Sequence, residues 1–202
     1  MRSMALGIAV ALAGCSVAGD ITSVAELEKQ GFKSLFDGKT LAGWKANENE
    51  SAWSVTPDGL LKGSGERSHL FSDKEYVDFE FRAEANTEPR ANSGLYFRAK
   101  FMEGWPDGYE AQVNNSHADP VRTGSLYHRV KVLDKLCKDG EWFEQHVICK
   151  GNKIVIKVNS KITAEFTDDK NSFTKGRFAF QQHDPGSVVY FRNIMVKDLS
   201  AP

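Results

Sequence analysis

VDFEFRAEA, residues 77–85, is the stretch on which the fold turns. Val77, Phe79, Phe81 and Ala83 fall on one parity and Asp78, Glu80, Arg82 and Glu84 on the other. That is the period of a strand with one face in a core and one face outward. SGLYFRAKF (93–101) reads the same way, with Leu95, Phe97 and Ala99 opposite Tyr96, Arg98 and Lys100. EWFEQHVICK (141–150) and KIVIKVN (153–159) are separated by Gly151-Asn152, a two-residue hairpin signal. KITAEF (161–166), GRFAFQQH (176–183) and SVVYFRNIMVKDL (187–199) complete the series, with PDG, KGSG, KDG and DPG as turns between runs. Only one helix is indicated: Ser23 and Glu26 form a capping-box pair before VAELEKQ, and Gly31 can end it. Short strands without βαβ alternation predict an all-β antiparallel sandwich with one short N-terminal helix.

The chain has 202 residues, 41% hydrophobic and 11% aromatic, enough for a sizeable core. Formal net charge is −1, with no basic stripe interleaved with aromatics, so nucleic-acid binding is not expected. Residues 1–19 read as an export signal: Arg2 precedes an apolar run from Met4 to Ala13 that is too short to span a bilayer. LAGC (12–15) fits a lipobox, with Cys15 as the lipidated residue, while SVA ending at Ala18 fits ordinary cleavage. The expectation is an exported protein, periplasmic or attached to the outer membrane, that touches membrane only through a lipid on Cys15. Residues 20–202 read as a single domain. In the mature chain, Cys137 and Cys149 can form a disulfide or remain two free thiols. There is no C-x-x-C and no His/Cys cluster at zinc spacing.

No nucleophile elbow, P-loop, dinucleotide fingerprint or H-E-x-x-H is present. The chemistry must therefore be sought on strand faces. In DGYEAQVN (107–114), Glu110, Gln112 and Asn114 share one face, and Tyr109, Ala111 and Val113 the other. Tyr96 and Arg98 are candidates on a second strand. Aromatic faces, amides and a guanidinium suit a carbohydrate, although a merely solvated strand face has the same pattern. Glycoside hydrolysis ordinarily needs two carboxyl groups flanking the bond. One carboxylate among amides suits transfer of a single proton while the amides hold hydroxyls.

GFKSLFDGKTLAGWK (31–45), ANSGLYFR (91–98), GYEAQVNN (108–115), TGSLY (123–127), EW (141–142) and FQQHDPGSVVYFRNI (180–194) resemble, in order and spacing, the 3-keto-disaccharide hydrolase family, also described as 3-keto-glucoside lyase and 3-keto-2-hydroxyglucal hydratase. The resemblance covers nearly all of residues 22–199. It departs at Trp142-Phe143, where the family tends to show Trp-Asn. It implies a concanavalin-like, laminin-G-like jelly roll acting on a saccharide that carries a 3-keto sugar. A 3-keto group acidifies the C2 proton; a base removes it, and the aglycone leaves from C1. Water can then add back. A separate sugar 3-oxidoreductase must supply such a substrate, because this chain has no redox-cofactor motif.

Carried onto matching positions, the resemblance makes Glu110 the acid/base, with a hydroxyl clamp, a metal ligand or a partner for Arg98 as alternatives. Arg98 would steady the keto or enolate oxygen unless it is a structural ion pair. His183 would be a second acid/base, or simply a surface residue in its turn. Gln112 and Asn114 would orient hydroxyls, Tyr127 would stack or donate to the leaving oxygen, and Trp105 would line the rim. His69, His128 and His146 have weaker claims; His128 would face away from Tyr127 if that segment were a strand. Trp44, Trp53 and Trp142 are expected in the core, Asp37 in a turn, and Arg192 in packing or an ion pair. A divalent ion is left open; there is no EF-hand-like loop. The non-catalytic alternative is a carbohydrate-binding module on the same fold.

Overall fold

The computed structural model describes residues 22–200. The export signal and Cys15 lie outside the described residues. Helix α1 (Val24–Lys29) starts where Ser23 Oγ accepts the Glu26 N–H. The strands are β1 (Lys33–Ser34), β2 (Trp44–Ala46), β3 (Trp53–Val55), β4 (Leu61–Ser64), β5 (Ser68–Tyr76), β6 (Phe79–Thr87) and β7 (Ser93–Ala99). They continue with β8 (Tyr109–Val113), β9 (Phe143–Lys150), β10 (Lys153–Val158), β11 (Lys161–Thr167), β12 (Gly176–Gln182) and β13 (Val188–Asp198).

All pairs are antiparallel and form two sheets. The larger runs β11-β10-β9-β6-β13-β4-β3, with β1 added on β13; the smaller runs β2-β5-β12-β7-β8. Their facing sides bury the apolar parity read from the sequence: Phe79 and Phe81 from β6, Leu95 and Phe97 from β7, Phe178 and Phe180 from β12. The Phe81 and Phe178 rings stack at 4.0 Å between centroids, closing the sandwich near its middle. On the outer side of the large sheet, α1 packs Leu27 with Phe32 and Met195. The outward parity of β6 is neutralised locally: Arg82 reaches Glu144 at 3.2 Å, and Glu84 accepts from Arg192 at 2.7 Å.

Two expectations, for Val77 and Trp142, need correction, and the alternative left open for the cysteines is resolved. Val77 lies outside the strand and is 40% exposed; β6 begins at Phe79. Cys137 and Cys149 are free thiols, the latter buried in the core, so they form no disulfide. Trp142 lies not in the core but against the Arg192 guanidinium, 4.1 Å from its ring centroid, whereas Trp44 and Trp53 are buried as expected. Asp37 does organise its turn, accepting from the Lys39 and Thr40 N–H groups.

The alternation of β7 breaks near its end. Arg177 of β12 pairs with Ala99 and Ala179 with Tyr96, so two steps on β12 oppose three on β7. The extra residue is Arg98, with φ +48°, and the result is a β-bulge. Its backbone comes so close to β12 that a Cβ on Gly176 would lie 2.4 Å from the Arg98 carbonyl carbon; only glycine fits there. The bulge returns Ala99 to the Tyr96 face, where both pack with Phe71 and Ala179 on the outer side of the small sheet.

Candidate active site

That outer face carries the site. Tyr96 of β7 lies directly opposite Glu110 of β8, and Gly94 opposite Gln112. Gly94 makes room for the acid: a Cβ there would lie 2.2 Å from Glu110 Oε1. Gln181 follows on β12, its Nε2 donating to the Tyr96 hydroxyl at 3.3 Å. Beyond the β8 edge, the segment after Gly124 runs alongside, and the Tyr127 N–H donates to the Glu110 carbonyl. This brings the Tyr127 ring beside the acid. Together these groups line a pocket of about 390 Å³ with Trp105, His128, His183 and Asn92 around its walls. The volume falls within the range of small-molecule sites, roughly 300–1,000 Å³.

Glu110 is 7% exposed. Burial pushes its carboxyl up to about 8; hydrogen bonds from Tyr96 and Gln181 pull the other way, and the nearby Asp119 carboxylate adds to the rise. Glu110 is therefore mainly protonated at neutral pH. Burial, with the Glu110 carboxylate next, holds the Tyr96 phenol far above its ordinary value. Tyr127 is pushed up to about 12 by burial and by its hydrogen bond to Asp119, 2.9 Å from hydroxyl to Oδ2. Both phenols are donors at working pH.

His183 stands at the head of the turn after β12. Its Nδ1 is 2.7 Å from Asp184 Oδ2. Burial raises the Asp184 carboxyl, but the His183, Gly186 and Ser187 hydrogen bonds outweigh it and hold it below the ordinary carboxylate range. Asp184 is thus an anion that fixes the His183 proton on Nδ1, which leaves Nε2 for a ligand. Among the described residues, Glu110 is the one carboxyl in the pocket wall; Asp119 and Asp184 stand behind Tyr127 and His183.

The structure gathers Glu110, Gln112, Tyr96, Tyr127, Trp105 and His183 around one pocket. Gln112 donates to Asn92 Oδ1 at 3.1 Å, which fixes the orientation of its amide. Trp105 is 47% exposed at the rim. Two expected members are elsewhere. Arg98 does not enter the pocket: the bulge turns its guanidinium to the Val77 and Phe173 carbonyls and to Asp78, 3.0 Å away. It is a buried structural ion pair, and the pocket wall contains neither Arg nor Lys among the described residues. Asn114, one residue past the end of β8, donates to the Asp119 and Val121 carbonyls and accepts from His117 N–H and Arg122. It shapes a loop rather than binding a hydroxyl. Conversely, His128 does line the pocket; its φ of +61° breaks the strand alternation that would have turned it away from Tyr127. His146 lies on the large sheet against Glu80.

His117, His183 and Asp184 offer donor atoms within 4.8 Å of one another. The hydrogen bonds there do not suit a metal. His117 Nδ1 accepts the Asp119 N–H, which puts the ring proton on Nε2, facing Asp184 Oδ2 at 3.6 Å. A metal-binding nitrogen needs the opposite tautomer.

Asn92, Gln181, His117, Asp119 and Asp184 were not identified from the sequence. Asp184 carried a signal, standing beside His183 in the HDPG turn; Gln181 also carried one, having the parity opposite Phe178 and Phe180, and Asn92 shares the parity of Tyr96, whereas His117 and Asp119 sit where no periodicity distinguishes them.

Residues 31–197 match the family described as 3-keto-alpha-glucoside-1,2-lyase-like domain. A 3-keto-disaccharide hydrolase of Bacteroides thetaiotaomicron is 25% identical over 234 residues, covering 86% of this chain and 80% of that protein. A crystal structure from Parabacteroides distasonis, provisionally named a glycosyl hydrolase, superposes with TM-score 0.69 at 27% identity, covering 83% of this chain and 99% of that one. A carbohydrate-binding module from Bacillus subtilis shares the fold, with TM-score 0.58 at 17% identity over 77% of this chain and 96% of that one. With the match spanning most of its length, this chain belongs to the 3-keto-alpha-glucoside-1,2-lyase-like domain family.

Proposed function

We propose that the protein is an exported enzyme that cleaves 3-keto-glycosides by elimination, with Glu110 as acid and His183 as base. The observation that carries this reading is the pairing of one protonated carboxyl group with one imidazole held by Asp184, in a pocket whose wall offers no second carboxylate among the described residues. Two-carboxyl hydrolysis lacks its second group here. Elimination needs only a base, an acid and donors for the developing enolate.

In this scheme His183 Nε2 takes the C2 proton, and the electron pair moves into the enolate of the 3-keto group. Neutral donors must meet that oxygen, because Arg98 is engaged elsewhere. Tyr96, Tyr127 and the Gln181 amide line the wall, and each would exchange its present bond, to Glu110, Asp119 and Tyr96 respectively, for one to the enolate oxygen. Re-forming the carbonyl expels the C1 oxygen as the new C1–C2 double bond forms, and Glu110 gives that oxygen its proton. Addition of water to the resulting 2-hydroxyglucal completes net hydrolysis. The family match and the name of the Bacteroides relative support the substrate class. A lipid on Cys15 and a partner 3-oxidoreductase belong to the same proposal.

The test is incubation of residues 20–202 with a 3-keto-glucoside and with its unoxidised parent, following aglycone release and the ultraviolet absorbance of the enone. Release from the keto sugar alone is expected. Release from both would refute elimination in favour of ordinary hydrolysis. Binding without release from either would make the protein a carbohydrate-binding module.

A further inference from the structure

Beneath Trp105, two buried polar side chains have atoms with no hydrogen-bond partner. His69 of β5 is 0% exposed, and neither its Nδ1 nor its Nε2 is partnered. Gln181 of β12 is 2% exposed, and its Oε1 is unpartnered. His69 and Gln181 are direct cross-strand partners on the outer face of the small sheet. Unpaired donors and acceptors in one buried patch cost folding free energy, and they persist where a ligand uses them. Burial holds the imidazole neutral, near a pKa of about 3, so it offers one donor and one acceptor. A sugar hydroxyl presents the same pair of roles.

The patch is covered by aromatic rings. Tyr96 and Phe71 are buried and packed together on the sheet face. Trp105 is different. Its ring centroid lies 5.6 Å from that of His69 and 5.4 Å from that of His183, and the Arg67 guanidinium lies 5.1 Å away on the solvent side. Its neighbouring loop backbone is pinned through Asn47, which donates to the Met102 and Gly104 carbonyls. Two rings on the patch are partly exposed, Trp105 at 47% and Phe101 on Phe71 at 38%, and of these the indole is the one against His69, with room to swing while its loop stays anchored.

We propose that His69 and Gln181 form a hidden hydroxyl-binding subsite at the inner end of the pocket, covered by Trp105 and opened when the sugar arrives. This rests on the reading of the pocket as a 3-keto-glycoside site. It adds a residue outside the pocket wall, His69, which recognises one ring hydroxyl without joining the chemistry.

The experiment compares wild type, His69→Phe and His69→Gln on methyl 3-keto-α-glucoside and its 2-, 4- and 6-deoxy analogues, measuring kcat/KM and, by calorimetry, Kd. Wild type should lose roughly tenfold to a hundredfold on one deoxy analogue and much less on the others. His69→Phe should lose that factor on the parent and nothing further on the same analogue, at a Tm equal to or above wild type. His69→Gln, which keeps a donor and an acceptor, should recover part of the loss and covers the case in which phenylalanine does not fold. Equal behaviour of all three proteins on every analogue would overturn the subsite, leaving a resident water as the partner of these groups. A uniform loss on all analogues would also overturn it. If wild type binds but releases nothing, the elimination reading falls while the Kd pattern still decides the subsite; if it binds none of these sugars, both fall.

Discussion

Replacing Glu110 by glutamine should change how the stability of this protein depends on pH. The unfolded chain releases the Glu110 proton near 4.5, the folded protein near about 8. Between those values the folded state still holds a proton that the unfolded state has lost. Stability from this group is fully present below 4.5, drains away as pH rises, and is gone above about 8. The gap of about 3.5 pH units corresponds to ~5 kcal/mol at most, and water reaching a carboxylate that is not fully enclosed lowers this to roughly 2–5 kcal/mol. Glutamine keeps the shape and removes the charge. Near pH 5 the two proteins should melt close together. At pH 9 Glu110→Gln should melt higher by roughly 5–15 °C, using ~2–4 °C per kcal/mol for a domain of this size. Differential scanning fluorimetry from pH 5 to 9 reads the difference directly, and other titrating groups cancel between the two proteins. Parallel Tm curves would refute the argument, since they would mean that Glu110 is ionised in the folded state. The same value sets the activity: kcat/KM of wild type should fall as pH rises through about 8, and Glu110→Gln should lose roughly 10²- to 10⁴-fold.

Asp184→Asn should lower kcat/KM roughly 10²-fold with a displaced pH profile and little change in KM, because the His183 proton is no longer fixed on Nδ1. A KM-only effect would contradict the positioning role. Gly94→Ala should fold, yet push the Glu110 carboxyl out of its seat and abolish most activity; unchanged kinetics would show that the carboxyl position does not matter. Arg98→Met should destabilise by on the order of 3 kcal/mol in urea melts, since Asp78 and two carbonyls lose their donor. Sugar binding by the folded fraction should be unchanged, and a selective loss of binding would restore Arg98 to the site. Thiol titration of the unfolded mature domain should give two free thiols without reductant, with the same Tm before and after reductant.

The sandwich was legible because its core obeys a local rule. Phe79, Phe81, Leu95, Phe97, Phe178 and Phe180 alternate within their own strands, and alternation needs no knowledge of the neighbour. Most of the pocket was legible for the same reason: Tyr96, Glu110 and Gln112 share the parity opposite that core. The failures have non-local causes. Arg98 has the right parity, but its direction is set by a bulge that exists only in register with β12. Asn114 also has the right parity, but the strand ends before it, so its amide serves a loop. His128 was given a weaker claim on an alternation that its left-handed backbone does not follow. His117 and Asp119 lie on a loop without a period, and tertiary packing alone brings them against His183 and Tyr127.

The bulge at Arg98 also bears on changes of chain length. A substitution at that position removes an ion pair, whereas deletion of one residue between Phe97 and Ala99 would restore simple alternation with Ala99 still on the Tyr96 face, but would draw the following loop back by about one strand residue, roughly 3.3 Å. The sheet would still pair and the phenylalanine core would still close. Trp105 would then leave from the same face but be drawn out of line with His69 and His183, and the pocket would lose its roof. Gly176 and Gly108, which make room for the backbone at the bulge, would face gaps. An alignment that shifts by one residue in this stretch would therefore misplace every rim residue before Tyr109.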